Sequence, residues 1–141
     1  MSYQEWTDLI GRKYMEWTNK EGRRDRAGAP AYIVHYANGL IEVEQFRVNG
    51  ELHRIDGPAV NYYHANGLID VKEFWLFNRA HREDGPAYIQ HDNCGKVIYE
   101  EFWLNGNFIG DESHGFWSLW ETLNKKQKEN LNILKTMLRY V

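Results

Sequence analysis

Two short runs each bring a histidine, an arginine and an aspartate together: His53-Arg54-Ile55-Asp56-Gly57-Pro58-Ala59 and His81-Arg82-Glu83-Asp84-Gly85-Pro86-Ala87. A base, a cation and a carboxylate within four residues could serve phosphoryl transfer, and kinase catalytic loops are built on His-Arg-Asp. Such a loop has no intervening residue and works with a glycine-rich loop, a lysine and a second, metal-binding aspartate, none of which this sequence supplies. The duplication also argues against catalysis, because a catalytic site is one asymmetric constellation. A structural role fits better. Asp56 and Asp84 suit accepting backbone N–H groups in an Asp-Gly-Pro turn, and Arg54 and Arg82 suit pairing with a carboxylate or carbonyl of the adjacent unit.

The other reactive side chains are no more promising. Of the six histidines, His53 and His81 lie one repeat apart and His35 and His91 two repeats apart, with Tyr63 between them. No pair has the close helical spacing of a zinc site, and the single cysteine, Cys94, excludes thiolate clusters and internal disulfides. Cys94 falls in a predicted turn with only Lys96 as a basic neighbour, which does not make a nucleophile. Gly39, Gly67 and Gly95 read as turn glycines, since no helix follows to complete a phosphate loop. The segment Lys20 to Arg26 is basic but mixed with Glu21 and Asp25, as in a solvated linker. No metal, no cofactor and no catalytic residue is expected.

The elements that hold these residues follow from a period. Pro30, Pro58 and Pro86 share one 28-residue register, and Asp25-Arg26-Ala27-Gly28-Ala29-Pro30-Ala31 is a decayed copy of the block. A fixed period identifies an array of one supersecondary unit. Within a unit, a strand from Pro30 reaches Asn38-Gly39, a hairpin signal that predicts a type I′ turn. The return strand runs from Leu40 to Val48, and Asn49-Gly50 turns the chain again. Tyr32, Val34, Tyr36, Ile41 and Val43 are expected on one face. The apolar phase then slips at Glu44-Gln45, Lys72-Glu73 and Glu100-Glu101, which predicts a β-bulge at each pair. Residues 2–20, with Trp6, Leu9, Ile10, Tyr14 and Trp17 at three- and four-residue steps, predict an N-terminal helix. Residues 113–140 are predicted helical, as one helix or as two with a break near Asn124. Their apolar stripe is Phe116, Leu119, Trp120, Leu123, Leu131, Leu134, Met137, Leu138 and Val141. The expected fold is therefore mainly β with α caps (α+β). It is a single domain, 1–141, with three 28-residue repeats over 25–110 forming an antiparallel meander between two helical ends.

Past the slip, Arg47, Trp75 and Trp103 fall one repeat apart on one face. A row of large planar side chains is the best candidate binding surface, unless a terminal helix covers it. The same face, away from the apolar set, is expected to carry a second group, His35, Tyr63 and His91. Aromatics make up 15 % of the chain, with six Trp. They can build the core of a thin sheet, and Trp and Tyr also favour partner contacts.

The net charge of -3 argues against broad nucleic-acid binding, which would leave a basic stripe. Neither predicted helix has the strongly basic polar face of a membrane-surface helix. No apolar run reaches the roughly 18 residues of a membrane span, and the N-terminus lacks a signal-peptide pattern, so a cytoplasmic location is expected, in the protein's own cell or an infected host. A meander ends in an edge strand, and a homodimer through that edge is open.

The blocks Tyr36 to Gly39, Phe102 to Gly106 and the two runs quoted first resemble variant MORN repeats of bacterial, phage and large-virus proteins. The resemblance covers 25–110 and implies hairpin meanders acting mostly in protein or lipid contacts, some bacterial relatives being antitoxins. Together these readings predict a non-enzymatic interaction module that binds a protein partner, for example as an inhibitor. A protein sequestering a nucleotide-like small molecule is the alternative.

Overall fold

A computed structural model describes the backbone of residues 1–111 and 116–138, and the side chains of residues 1–111 and 119–136. The chain is mainly β. One antiparallel sheet of nine strands follows chain order as a meander: β1 (Ser2–Thr7), β2 (Lys13–Thr18), β3 (Tyr32–His35), β4 (Ile41–Gln45), β7 (Val60–Tyr63), β8 (Ile69–Glu73), β11 (Tyr88–His91), β12 (Val97–Leu104) and β13 (Asn107–Asp111). Two small hairpins leave it, β5 (Arg47–Val48) with β6 (Glu51–Leu52) and β9 (Trp75–Leu76) with β10 (Arg79–Ala80). Helices α1 (Phe116–Thr122) and α2 (Lys125–Leu138) follow, with the break between them at Leu123 and Asn124. Neither is long and apolar enough to cross a membrane.

The expected N-terminal helix is a hairpin instead. Strands β1 and β2 pair in register from Ser2↔Thr18 to Thr7↔Lys13, so the apolar residues read as a helical stripe are cross-strand neighbours. Trp6 stacks on Tyr14 with ring centroids 5.3 Å apart, and Tyr3 packs on Trp17 at 4.8 Å. Leu9 and Ile10 are exposed in the turn. Asp8 Oδ1 organises that turn by accepting the Ile10 N–H at 3.0 Å and the Arg12 N–H at 2.9 Å. A glycine inside a helix costs about 1 kcal/mol, whereas Gly11 at φ 90° closes a turn that an ordinary residue would strain. Gly39, Gly67 and Gly95 have φ of 88°, 90° and 94° at the same place in their hairpins. The periodic hairpin therefore begins at the N-terminus, one unit earlier than the sequence reading placed it.

Two further expectations are corrected. At Asn38-Gly39 only the glycine has positive φ, and Gly39 N–H bonds to Tyr36 O while Tyr36 N–H bonds to Leu40 O. The loop is thus three residues closed by a left-handed glycine. The turns with two left-handed central residues are Asn49-Gly50, Phe77-Asn78 and Asn105-Gly106. The bulge also sits elsewhere. Val34↔Val43 is followed by His35↔Ile41, Tyr62↔Val71 by Tyr63↔Ile69, and Gln90↔Tyr99 by His91↔Val97. The extra residue is Glu42, Asp70 or Ile98, and pairing stays regular through Gln45 and Glu73. Ile41 consequently pairs with His35 rather than joining Val43. The apolar phase changes after Gln45 because the strand leaves the sheet there.

Among the described residues Phe77 is the one aromatic held left-handed, at φ 47°, where its equivalents are Asn49 and Asn105. Its ring is exposed and rests on His53 at 4.2 Å. A left-handed backbone costs an ordinary L-residue roughly 1–2 kcal/mol, and asparagine tolerates it. Phe77→Asn is therefore expected to stabilise the fold by about 1 kcal/mol, seen as a higher urea midpoint. An unchanged or lowered midpoint would contradict the strain.

The large-residue core lies at the C-terminal end, where Phe102, Leu104, Ile109 and Trp120 are buried with Leu123 and Leu131 against them. Elsewhere the buried apolar residues are small: Ala31, Ala59, Ala87, Val34, Val60 and Val71. Of the expected helical stripe, Leu119 and Leu134 are exposed. Ser113, Val141 and the side chains of Phe116, Met137 and Leu138 lie outside the described residues. Both helices pack against β13, while the outer edge of β1 has no neighbouring strand among the described residues.

Candidate functional site

The candidate site grows from one row of cross-strand neighbours. Glu16 pairs with Tyr32, Tyr32 with Gln45, Gln45 with Val60, Val60 with Glu73, Glu73 with Tyr88 and Tyr88 with Glu101. Partners directly opposite in an antiparallel sheet share a face, so this is one continuous line across seven strands. Arg47, Trp75 and Trp103 stand just beyond it, where the chain leaves the main sheet or, in β12, continues along it. Each is half-buried and bonded to the row. Arg47 Nε donates to Gln45 Oε1 at 2.9 Å, Trp75 Nε1 to Glu73 Oε1 at 3.4 Å, and Trp103 Nε1 to Glu101 Oε1 at 3.1 Å.

Between Trp75 and Trp103 lies an open groove of about 670 Å³, with Glu73, Tyr88, Glu101 and Ala80 in its lining. Among the described residues helix α2 contributes Thr136 to its lining. Helix α1 places Trp120 against Phe102, the neighbour of Trp103 that points to the other face. Burial holds Glu73 above the ordinary carboxylate range, and the charge of Glu101 adds to the effect. Tyr88 is raised for the same reasons, burial first and then Glu73 and Glu101. Glu101 also accepts the Tyr99 hydroxyl at 2.7 Å. The groove is thus aromatic-walled and acidic.

His35, Tyr63 and His91 do not share the tryptophan face as expected but lie on the opposite one, because the bulge falls at Glu42, Asp70 and Ile98, and they do not converge. Each sits one intervening strand from the next, roughly 10 Å away. Tyr63 donates to Glu44 Oε1 at 2.8 Å, and burial together with that carboxylate pushes its phenol up to about 12. His91 is buried with Nδ1 3.3 Å from Asp70 O. His35 Nδ1 is buried without a hydrogen-bond partner. Of the three only His91 is buried, while His35 and Tyr63 are half-buried. The motif histidines are structural: His53 Nδ1 accepts the Phe77 N–H at 3.0 Å and His81 Nδ1 the Asn105 N–H at 2.9 Å. Burial pushes the His81 imidazole down, against the pull of Glu83. Among the described residues no three potential ligands gather to hold a metal ion.

The sequence reading identified the walls of the groove and missed its floor. The repeat puts Glu73 and Glu101 at the expected bulge, and Tyr88, two repeats after Tyr32, on the expected apolar face. Placing the bulge after the hairpin turn would have aligned all three. Comparison with known protein families, curated proteins and solved structures finds no match.

Proposed function

We propose that this chain is a non-enzymatic interaction module of the MORN-repeat kind, whose tryptophan-lined groove binds a partner protein and whose binding is itself the biological act, as in an inhibitor or antitoxin. The observation that carries this reading is the pairing of two half-buried indoles across an open groove on a sheet stiffened by its repeated hairpins. Tryptophan is the side chain most often found at energetic centres of interfaces, and truncating such an anchor typically costs roughly 2 kcal/mol or more. A nucleotide-like ligand suits the groove less well, because Glu73 and Glu101 would repel its phosphate.

The test is affinity capture from the native host's lysate with wild type and with Trp75→Ala/Trp103→Ala, both shown to fold by circular dichroism. A partner held by wild type and weakened about tenfold or more by the variant is expected. Equal capture by both chains would remove the groove from consideration.

A further inference from the structure

The row across the sheet carries the same arrangement twice, and among the described residues only one copy is filled. Glu16, Tyr32 and Gln45 are cross-strand neighbours on β2, β3 and β4, as Glu73, Tyr88 and Glu101 are on β8, β11 and β12. Backbone hydrogen bonds fix the equivalence. Trp17 N–H bonds to Ala31 O as Phe74 N–H bonds to Ala87 O, and Ala31 N–H bonds to Gln45 O as Ala87 N–H bonds to Glu101 O. Likewise Gly50 N–H bonds to Arg24 O as Gly106 N–H bonds to Ala80 O. Arg24 bridges Thr18 as Ala80 pairs with Trp75. Arg24 and Ala80 therefore occupy the same place in their units.

In the first unit the place is occupied from within. The Arg24 guanidinium carbon lies 3.7 Å from the centre of the Tyr32 ring. Its Nε is 3.3 Å from Glu16 Oε1 and its Nη1 is 3.5 Å from Gln45 Oε1. In the last unit Ala80 lines the groove instead of filling it. The floor there also gains a charge, since Glu101 stands where Gln45 does. Among the described residues neither Glu73 nor Glu101 has a cationic side chain within ion-pair distance. Arg79 borders the groove, but its stem packs toward Gly106, with Cβ 3.6 Å from where a side chain at Gly106 would begin. The middle unit makes the contrast: where the tyrosine is Val60, the Arg24 position is Leu52, and an apolar pair replaces the cationic one.

We propose that the groove between Trp75 and Trp103 takes an arginine side chain of the partner protein, seated over Tyr88 between Glu73 and Glu101 as Arg24 is seated over Tyr32 between Glu16 and Gln45. The inference rests on reading the groove as a protein-binding face. Arginine fits better than lysine because a planar guanidinium stacks on aromatic rings while its forked donors meet carboxylates at the edge. Half-buried carboxylates without a counter-charge are costly to hold, and an incoming cation relieves that cost.

The probe is N-acetylarginine amide, with neutral N-acetylcitrulline amide as its isostere, titrated while the indole N–H resonances of Trp75 and Trp103 are followed by NMR. The arginine probe is expected to shift both resonances saturably in the millimolar range, and citrulline to do so about tenfold more weakly. In Ala80→Arg the new side chain fills the groove, so the response is lost. Glu73→Gln/Glu101→Gln, which keeps shape and removes charge, weakens it about tenfold or more should Ala80→Arg fail to fold. No saturable shift with arginine, or an equal one with citrulline, overturns the proposal. Partner capture separates this from the broader reading. Capture that needs Trp75 and Trp103 but survives Ala80→Arg and the double glutamine variant overturns the arginine alone. Capture indifferent to every variant overturns both.

Discussion

Phe102→Ala is expected to destabilise the fold by about 3–5 kcal/mol, the range for removing a fully buried phenylalanine. Phe102 is 0 % exposed, and its ring lies 5.0 Å from that of Trp120, centroid to centroid. Leu104 and Ile109 complete the cluster from β12 and β13, with Leu123 and Leu131 from the helical segment around it. The cost is concentrated here because the rest of the sheet has no comparable reserve. Its other buried apolar residues are alanines and valines, and an alanine-sized truncation there removes little surface. Urea unfolding followed by tryptophan fluorescence reads the effect as a lower midpoint. A loss below about 1 kcal/mol would mean that the cavity collapses freely, and so that the helices add little to the sheet.

The C-terminal segment was legible in sequence as helical because Trp120, Leu123 and Leu131 recur at helical spacing, and the structure decides for two helices with the break at Leu123 and Asn124. The N-terminal segment had two solutions. Trp6, Tyr14 and Trp17 satisfy a helical stripe and an antiparallel pair equally well, and the deciding residue was Gly11, which shares the 28-residue register of Gly39. Periodicity of apolar residues is local, whereas the repeat is a statement about the whole chain, and the latter was the stronger guide.

Trp75 and Trp103 announce themselves by type. Glu73 and Glu101 look like solvated strand residues, and only their register beside Tyr88 makes them a floor. That register depends on one extra residue at Asp70 and at Ile98, whose side chains carry no signature of a bulge. Arg24 was hidden for another reason: it lies in a basic run that reads as a linker, and its role follows from three-dimensional equivalence with Ala80.

The duplicated His-Arg-x-Asp-Gly-Pro-Ala run, the strongest sequence signal, is also where structure separates form from function. Arg82→Ala is expected to cost about 2 kcal/mol, because two side-chain contacts are lost together. Its Nη1 donates to Pro86 O at 3.1 Å, and Pro86 is fully buried, so the carbonyl is left unpaired. Its guanidinium sits 4.1 Å from the centre of the Phe74 ring, while its backbone N–H, which alanine keeps, ties the block to Trp103 O at 3.1 Å. Arg54 repeats the set with Pro58 O, the Phe46 ring and Trp75 O, and Arg26 keeps the bond to its own proline, Pro30 O. The ion pair with Asp84 contributes least, since that carboxylate is 87 % exposed. Asp84→Asn should therefore move stability by less than about 0.5 kcal/mol. Glycine at 85 follows from the same packing, because a Cβ there would meet the Arg82 guanidinium carbon at 3.1 Å. Gly85→Ala is expected to destabilise wild type and to be milder in Arg82→Ala, a coupling that a double-mutant cycle measures. In the first block the Asp is Gly28 and the Gly is Ala29, so the carboxylate and the bare backbone are lost together. Additive effects of Arg82→Ala and Gly85→Ala, or a loss below about 0.5 kcal/mol for Arg82→Ala, would strip the run of its structural role and return it to the candidates for function.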